Sequence, residues 1–150
     1  MTEQVAVVSP AVRRFLAALE LLEMHRDLDL ILECFADDSE LTRLSRGVER
    51  GTDGARRFWK GYRDTFGDLS SRFVAVNDRG PVKVLEWLSE GTLPQGAPVR
   101  YAGVTLLETD DATHTIRRLR TYFDSSAILA HTATSEVPPE AGTKPYSEAV

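Results

Sequence analysis

The chain has 150 residues, 42% hydrophobic and 27% charged, with a net charge of -5, which is one ordinary globular domain's worth of sequence. The acidic balance excludes a general nucleic-acid or anionic-membrane binder, since both need a basic face. No apolar run approaches the roughly 20 residues of a membrane span, and the first apolar run precedes its basic residues, the wrong order for a secretory signal, so a cytoplasmic protein is expected.

Residues 1–9 carry no periodic signal and are expected to be loosely held. Ser9-Pro10 reads as an N-cap followed by proline at the first helical position. Val12, Phe15, Leu19, Leu22 and His25 then recur at helical spacing, one face of an amphipathic helix. A short second helix is expected in LDLILECFADD, with Leu28, Ile31, Leu32 and Phe35 inward, followed by a brief strand from Ser39 to Leu44. RGVERGTDGARR is charged and glycine-rich and reads as a loop; it has no strand-loop-helix setting that would make it a phosphate-binding glycine loop. Thr52 or Asp53 caps a third helix, Ala55 to Phe66, with Phe58, Trp59, Tyr62 and Phe66 along one side and Gly67-Asp68 as its stop.

Four strands follow: Ser70–Asn77, Val82–Leu93, Val99–Glu108 and His114–Phe123. Each is rich in β-branched or aromatic residues and bounded by Asp, Gly or Pro, the pattern of an antiparallel meander. A helical turn is expected over Ser125–His131. The tail, residues 132–150, has Pro138-Pro139 and Pro145-Tyr146 and no periodicity, and reads as an extended arm on the domain or a partner. There are no internal repeats. The fold class is therefore α+β, a domain over residues 10–131 with about four to six strands curved around N-terminal helices.

Several short motifs in this order resemble the nuclear transport factor 2-like superfamily, and its SnoaL-like branch most closely. They are Asp27-Leu28-Asp29 with Phe35-Ala36-Asp37-Asp38, Gly51 with the Phe58-Trp59 helix, Glu86-Trp87, Gly91, Gly96, Gly103-Val104, and Arg120-x-Tyr122-x-Asp124. The resemblance covers roughly residues 10 to 130 and implies a cone-shaped barrel. Its antiparallel sheet curls around an apolar cavity closed by the helices, and the outer sheet face forms a homodimer. Members include polyketide cyclases, ketosteroid isomerases, epoxide hydrolases, dehydratases and pocket proteins without a known reaction, so the fold alone does not settle function. The implied partner is a small apolar organic molecule.

Side-chain alternation along strands supplies the cavity candidates. On the last strand Arg117, Leu119, Thr121 and Phe123 share the more apolar face. On the middle strand Val99, Tyr101, Gly103, Thr105 and Leu107 share a face, with Gly103 leaving room. On the Trp87 strand either Glu86, Leu88 and Glu90 or Leu85, Trp87 and Ser89 point inward; the first choice puts Leu88 at the cavity. Phe15, Leu19, Leu41, Trp59 and Tyr62 complete the expected lining. Trp59, Tyr62, Trp87 and Phe123 also fit a plain packed core.

The ketosteroid isomerase pattern needs an acid in the short strand, where this chain has Arg43, and another near Thr105 or Leu106. The epoxide hydrolase pattern needs an Asp-Arg-Asp set, where this chain has Glu86, Leu88 and Thr121. Both sets are absent. A polyketide-cyclase-like proton transfer needs only one carboxylate base and a donor for the developing enolate. The candidates are Glu86 as base with Tyr101 or Arg43 as donor, and Asp124 of the Y-x-D as a second acid. Against these stand structural readings: Glu86 and Arg43 as an ion pair across the cavity, and Tyr122 with Asp124 bracing a dimer or capping the next turn. Arg118 and Arg120 are expected to pair with acids across a dimer.

His25, His114 and His131 are far apart in sequence, and Cys34, the single cysteine, reads as an inert core thiol, so no metal and no cofactor are expected. The leading reading is a ligand-binding protein with cofactor-free cyclase, isomerase or dehydratase chemistry. The alternative is a non-catalytic binding or dimerisation module.

Overall fold

The computed structural model describes residues 8–43 and 46–126. Helix α1 spans Pro10–His25 and short helix α2 spans Asp29–Glu33. Strand β1 is Phe35–Arg43, β2 is Val48–Arg50, and helix α3 is Gly51–Asp64. Strands β3 (Leu69–Asn77), β4 (Val82–Thr92), β5 (Pro98–Asp110) and β6 (Thr115–Phe123) complete the described chain. The tail and most of the helical turn expected after Asp124 fall outside the described residues.

The six strands form one sheet in the order β2-β1-β6-β5-β4-β3. Neighbours β3 to β6 are antiparallel, as the meander requires, and so are β1 and β2. The β1–β6 pairing is parallel, which corrects the expectation of a purely antiparallel sheet. No hairpin joins these two strands, so nothing local forces them to run in opposite directions. A wide bulge between Phe35 and Glu40 carries the F-A-D-D segment, so that segment belongs to a strand and not to the end of α2. Strand β2 lies inside the segment read as a loop; at three residues, with a charged Glu49-Arg50, it has no hydrophobic pattern to betray it.

Helix α1 buries Val12, Phe15, Leu16, Leu19, Leu22 and Glu23 as one stripe and packs on β3, while α3 packs on β1. Ser9 stands at the N-cap, but its hydroxyl does not cap the helix. Its N–H and hydroxyl both donate to Asp78 in the β3–β4 turn, which is further held by Lys83 at 3.7 Å. Val8, two residues ahead of the expected boundary, is buried as well. Helix α3 starts at Gly51 rather than Ala55, and neither Thr52 nor Asp53 caps it with a side chain. Cys34 is buried, donates to the Leu30 carbonyl at 3.4 Å, and burial pushes its thiol up to about 11, as an inert thiol requires. Among the described residues no helix is long and apolar enough to cross a membrane.

Candidate functional site

The helices and the concave face of the sheet enclose a cavity of about 300 Å³. That volume lies at the lower end of small-molecule sites and matches a compound of two or three rings. Aromatic rings make up much of its wall. Phe66 stacks on Tyr101 with centroids 5.7 Å apart, Trp87 meets Tyr101 edge-on at 5.3 Å, and Trp59 meets Tyr62 edge-on at 5.5 Å. Exposed lining residues Arg46, Thr65 and Ser125 mark its opening.

Alternation on β4 decides the face that the sequence left open. Leu85, Trp87 and Ser89 are buried, so Glu86 and Leu88 lie on the outer side, Glu86 exposed opposite Ala75 and Val104. Glu86 is therefore not at the cavity and forms no ion pair with Arg43. The reason is energetic: turning this strand over would bury Glu86 and Glu90 among rings without partners. Leu88 is half-buried on that outer face, and Leu41 is fully buried in the core beside Leu119 without lining the cavity. Asp124 also lies off the cavity; its Oδ1 accepts the Ser126 N–H and tethers the turn after β6. Phe15, Leu19, Trp59, Tyr62, Thr105, Leu119, Thr121 and Phe123 do line it, together with Tyr101 and Arg43.

Gly103 leaves room, and the room is used. A Cβ there would come within 2.5 Å of Trp87 Cζ2, 2.6 Å of the Tyr122 carbonyl and 2.7 Å of Phe123 Cβ. Gly103→Ala is expected to destabilise the fold by about 1–3 kcal/mol through overpacking. Gly61→Ala, in open space within α3, should stabilise it by about 0.5–1 kcal/mol. Urea denaturation of both variants checks the contrast.

Polar groups are few and linked. Trp87 Nε1 donates to Thr105 Oγ1 at 2.9 Å, and Thr105 and Thr121 hydroxyls are 3.1 Å apart. Arg43 is half-buried at the wall, its guanidinium carbon 4.5 Å above the Phe58 ring and Nη2 donating to the Phe58 carbonyl at 3.5 Å. No carboxylate lies within ion-pair distance of it among the described residues. Burial, and then Arg46, push its pKa down, but a guanidinium stays charged.

The acid that sequence reasoning missed is Glu23. It is 4% exposed and is the one buried carboxylate among the described residues. Tyr62 Oη donates to its Oε2 at 2.5 Å, while the Ser71 N–H donates to Oε1 at 2.9 Å and Ser71 Oγ to Oε2 at 2.7 Å. Ser71 Oγ is in turn 2.6 Å from Ser89 Oγ. Tyr62, Ser71 and Ser89 line the cavity, and Glu23 sits behind them. Burial raises its pKa, opposed by the bonds from Tyr62 and Ser71 and by the charge of Arg63. Tyr62 and Tyr101 are both pushed above the usual phenol value by burial and then by the Glu23 charge. A signal was present: Glu23 is four residues after Leu19, on the apolar stripe of α1, where a carboxylate needs a reason to be.

His25 and His114 are exposed, and His131 is outside the described residues. Among the described residues no group of three His, Cys, Asp or Glu side chains could hold a metal ion.

This fold is shared with proteins of known structure. TerC, co-crystallised with polyporic acid, is 20% identical with a TM-score of 0.71, over 84% of this chain and 100% of that one. A protein from Jannaschia sp. CCS1, provisionally assigned as a SnoaL-like polyketide cyclase, is 19% identical with a TM-score of 0.70, over 86% and 94%. A protein with a ketosteroid isomerase-like fold from Catenulispora acidiphila DSM 44928, in complex with trimethylamine, is 15% identical with a TM-score of 0.69, over 83% and 97%. At such identities the likeness shows the fold alone. No curated protein matches the chain. The model of the SnoaL-like domain matches residues 12–118. The chain belongs to the SnoaL-like domain family.

Proposed function

We propose that this protein binds a small, largely apolar ring compound in the cavity, with one carbonyl, enol or carboxylate oxygen at Arg43, and promotes cofactor-free proton transfer on it. The observation that carries this reading is the pairing of an aromatic cavity with a guanidinium at its wall that has no carboxylate partner among the described residues. Ring faces supply most of the contact area, and a fixed cation is the group that an enolate oxygen needs as charge develops. The bound molecules of two structural neighbours, polyporic acid and trimethylamine, agree with an organic ligand in this fold.

A second reading, a binding module without catalysis, is favoured by one observation: no Asp, Glu or His lines the cavity among the described residues. Native mass spectrometry of the protein isolated from cell extract tests what both readings share. One small organic molecule per chain is the expected result; a cavity that excludes every ring compound offered to it would remove both.

The outer sheet face supports a homodimer. Val84, Leu88, Ala102, Val104, Leu106 and Tyr122 form a contiguous half-buried to exposed stripe across β4, β5 and β6. Arg118 and Arg120 do not need a partner chain for charge balance, because both reach Glu108 on the adjacent strand, at 3.6 Å and 2.7 Å. Val104→Arg at the middle of this stripe should convert a dimer to monomers in sedimentation equilibrium; an unchanged mass would exclude this face.

A further inference from the structure

We infer that Tyr62 and Glu23 form a proton-transfer dyad: Tyr62 Oη takes a proton from the carbon beside the carbonyl of a ring ketone held at Arg43, while its own proton passes to Glu23. The inference rests on the cavity being a ligand site and adds the group that holds the proton.

Three donors converge on the two oxygens of Glu23, the bonding pattern of an ionised carboxylate, which has no proton to give and several lone pairs to fill. This sets the direction of the neighbouring bonds. Ser71 Oγ spends its one proton on Glu23, so in the Ser71–Ser89 contact Ser89 must be the donor. Tyr62 Oη likewise gives its proton to Glu23, leaving its lone pairs for a donor from the cavity. Burial and the Glu23 charge hold the phenol proton on Tyr62, so Tyr62 alone is no base; the pair is one, because the phenol can take the substrate proton only as its own passes to the carboxylate 2.5 Å away.

The step balances. The substrate C–H bond breaks and its electron pair becomes the enolate, whose oxygen lies against the Arg43 guanidinium. The proton forms the new O–H of Tyr62, the old Tyr62 O–H breaks, and that proton makes Glu23 a carboxylic acid. The negative charge has moved from Glu23 to the enolate, and nothing else is consumed. Protonated Glu23 can then donate to Ser71 at 2.7 Å, Ser71 to Ser89 at 2.6 Å, and Ser89 into the cavity. Reversal of that hydroxyl chain returns a proton at a second point of the wall, which is what an isomerisation requires.

Glu23 is faced by Tyr62 and Arg63 from α3, Ser71 from β3 and Tyr101 from β5, and Arg43 acts on the two tyrosines from β1. Arg63 favours its charge while burial opposes it, so ionisation occurs above the usual carboxylate range. The dyad therefore works on the alkaline side of that ionisation.

The test uses β-tetralone in deuterated water. Binding is followed by tryptophan fluorescence and deuterium entry beside the carbonyl by NMR, for the full chain, Glu23→Gln and Tyr62→Phe. The expected result is binding by all three within about twofold, with exchange lowered on the order of 100-fold in both variants. The rise of exchange with pH through Glu23 ionisation should vanish in Glu23→Gln, a change that a merely structural role would not produce. If Glu23→Gln does not fold, Tyr62→Phe decides the matter. Binding without accelerated exchange, or exchange that survives in the variants, would overturn the dyad and leave the ligand site standing. Absence of binding by the full chain would overturn both.

Discussion

Arg63→Ala is expected to lower the stability of this protein by about 1.5–3 kcal/mol, a substantial part of the roughly 5–15 kcal/mol a domain possesses. Arg63 lies in the last turn of α3 and is buried. Its Nε donates to the Leu22 carbonyl at 3.2 Å, Nη1 to Phe66 at 3.1 Å and Nη2 to Gly67 at 2.9 Å. One side chain thus ties the carbonyl end of α1 to the turn leaving α3. Removing it takes one donor from each of three carbonyls, which keep Arg26 as their other donor, and it takes a favourable charge away from Glu23. Arg63→Lys should recover only part of the loss, since an ammonium cannot span three diverging carbonyls. Thermal and urea unfolding of both variants checks this; a loss below about 1 kcal/mol for Arg63→Ala would mean these bonds are replaced by water at no cost.

The second large effect is on binding. Arg43→Met keeps the stem over Phe58 and removes the guanidinium, so the aromatic cavity survives without its cation. A hydrogen bond to a charged group contributes about 1.5–3 kcal/mol, so the affinity for β-tetralone should fall roughly 10- to 100-fold. Folding stability should change little, because no ion pair among the described residues is broken. Equal affinity in the variant would mean that the ligand oxygen sits elsewhere, at the Thr105–Thr121 pair for instance.

Stability should also carry a pH signature of Glu23. Its folded pKa is raised above the usual value of 4.5 by burial, so between these two values the native state holds a proton that the unfolded chain has released. Stability contributed by that proton is complete below 4.5 and is lost as pH rises through the folded value. Glu23→Gln should flatten this fall.

What was legible in the sequence, and what was not, follows from how each signal arises. The four meander strands and both long helices announce themselves through apolar periodicity, and their inward faces on β5 and β6 could be assigned because one parity is plainly more apolar. Strand β4 is different. Leu85-Glu86-Trp87-Leu88-Ser89 alternates without an unambiguous polar side, so Glu86 could be drawn into the cavity on paper, and only the unpartnered burial of Glu86 and Glu90 argues otherwise. Strand β2 is an edge strand that pairs with β1 just upstream, and the bulged start of β1 pairs with β6 far along the chain; neither carries a local pattern. Glu23 shows the opposite failing. Its spacing from Leu19 placed it on the buried stripe, but a reading that counts only apolar residues passes over the one acid within it. The polar residue at an apolar position was the more informative one.

The most direct measurement uses the fact that the chain has two tryptophans, Trp59 and Trp87, and both line the cavity. All tryptophan emission therefore reports from the proposed site. Titration with β-tetralone should quench that emission saturably, with one molecule bound per chain, and Arg43→Met should shift the curve to higher concentration. Emission that stays constant up to the solubility limit of the ketone would contradict the account, because both rings belong to the wall of this cavity.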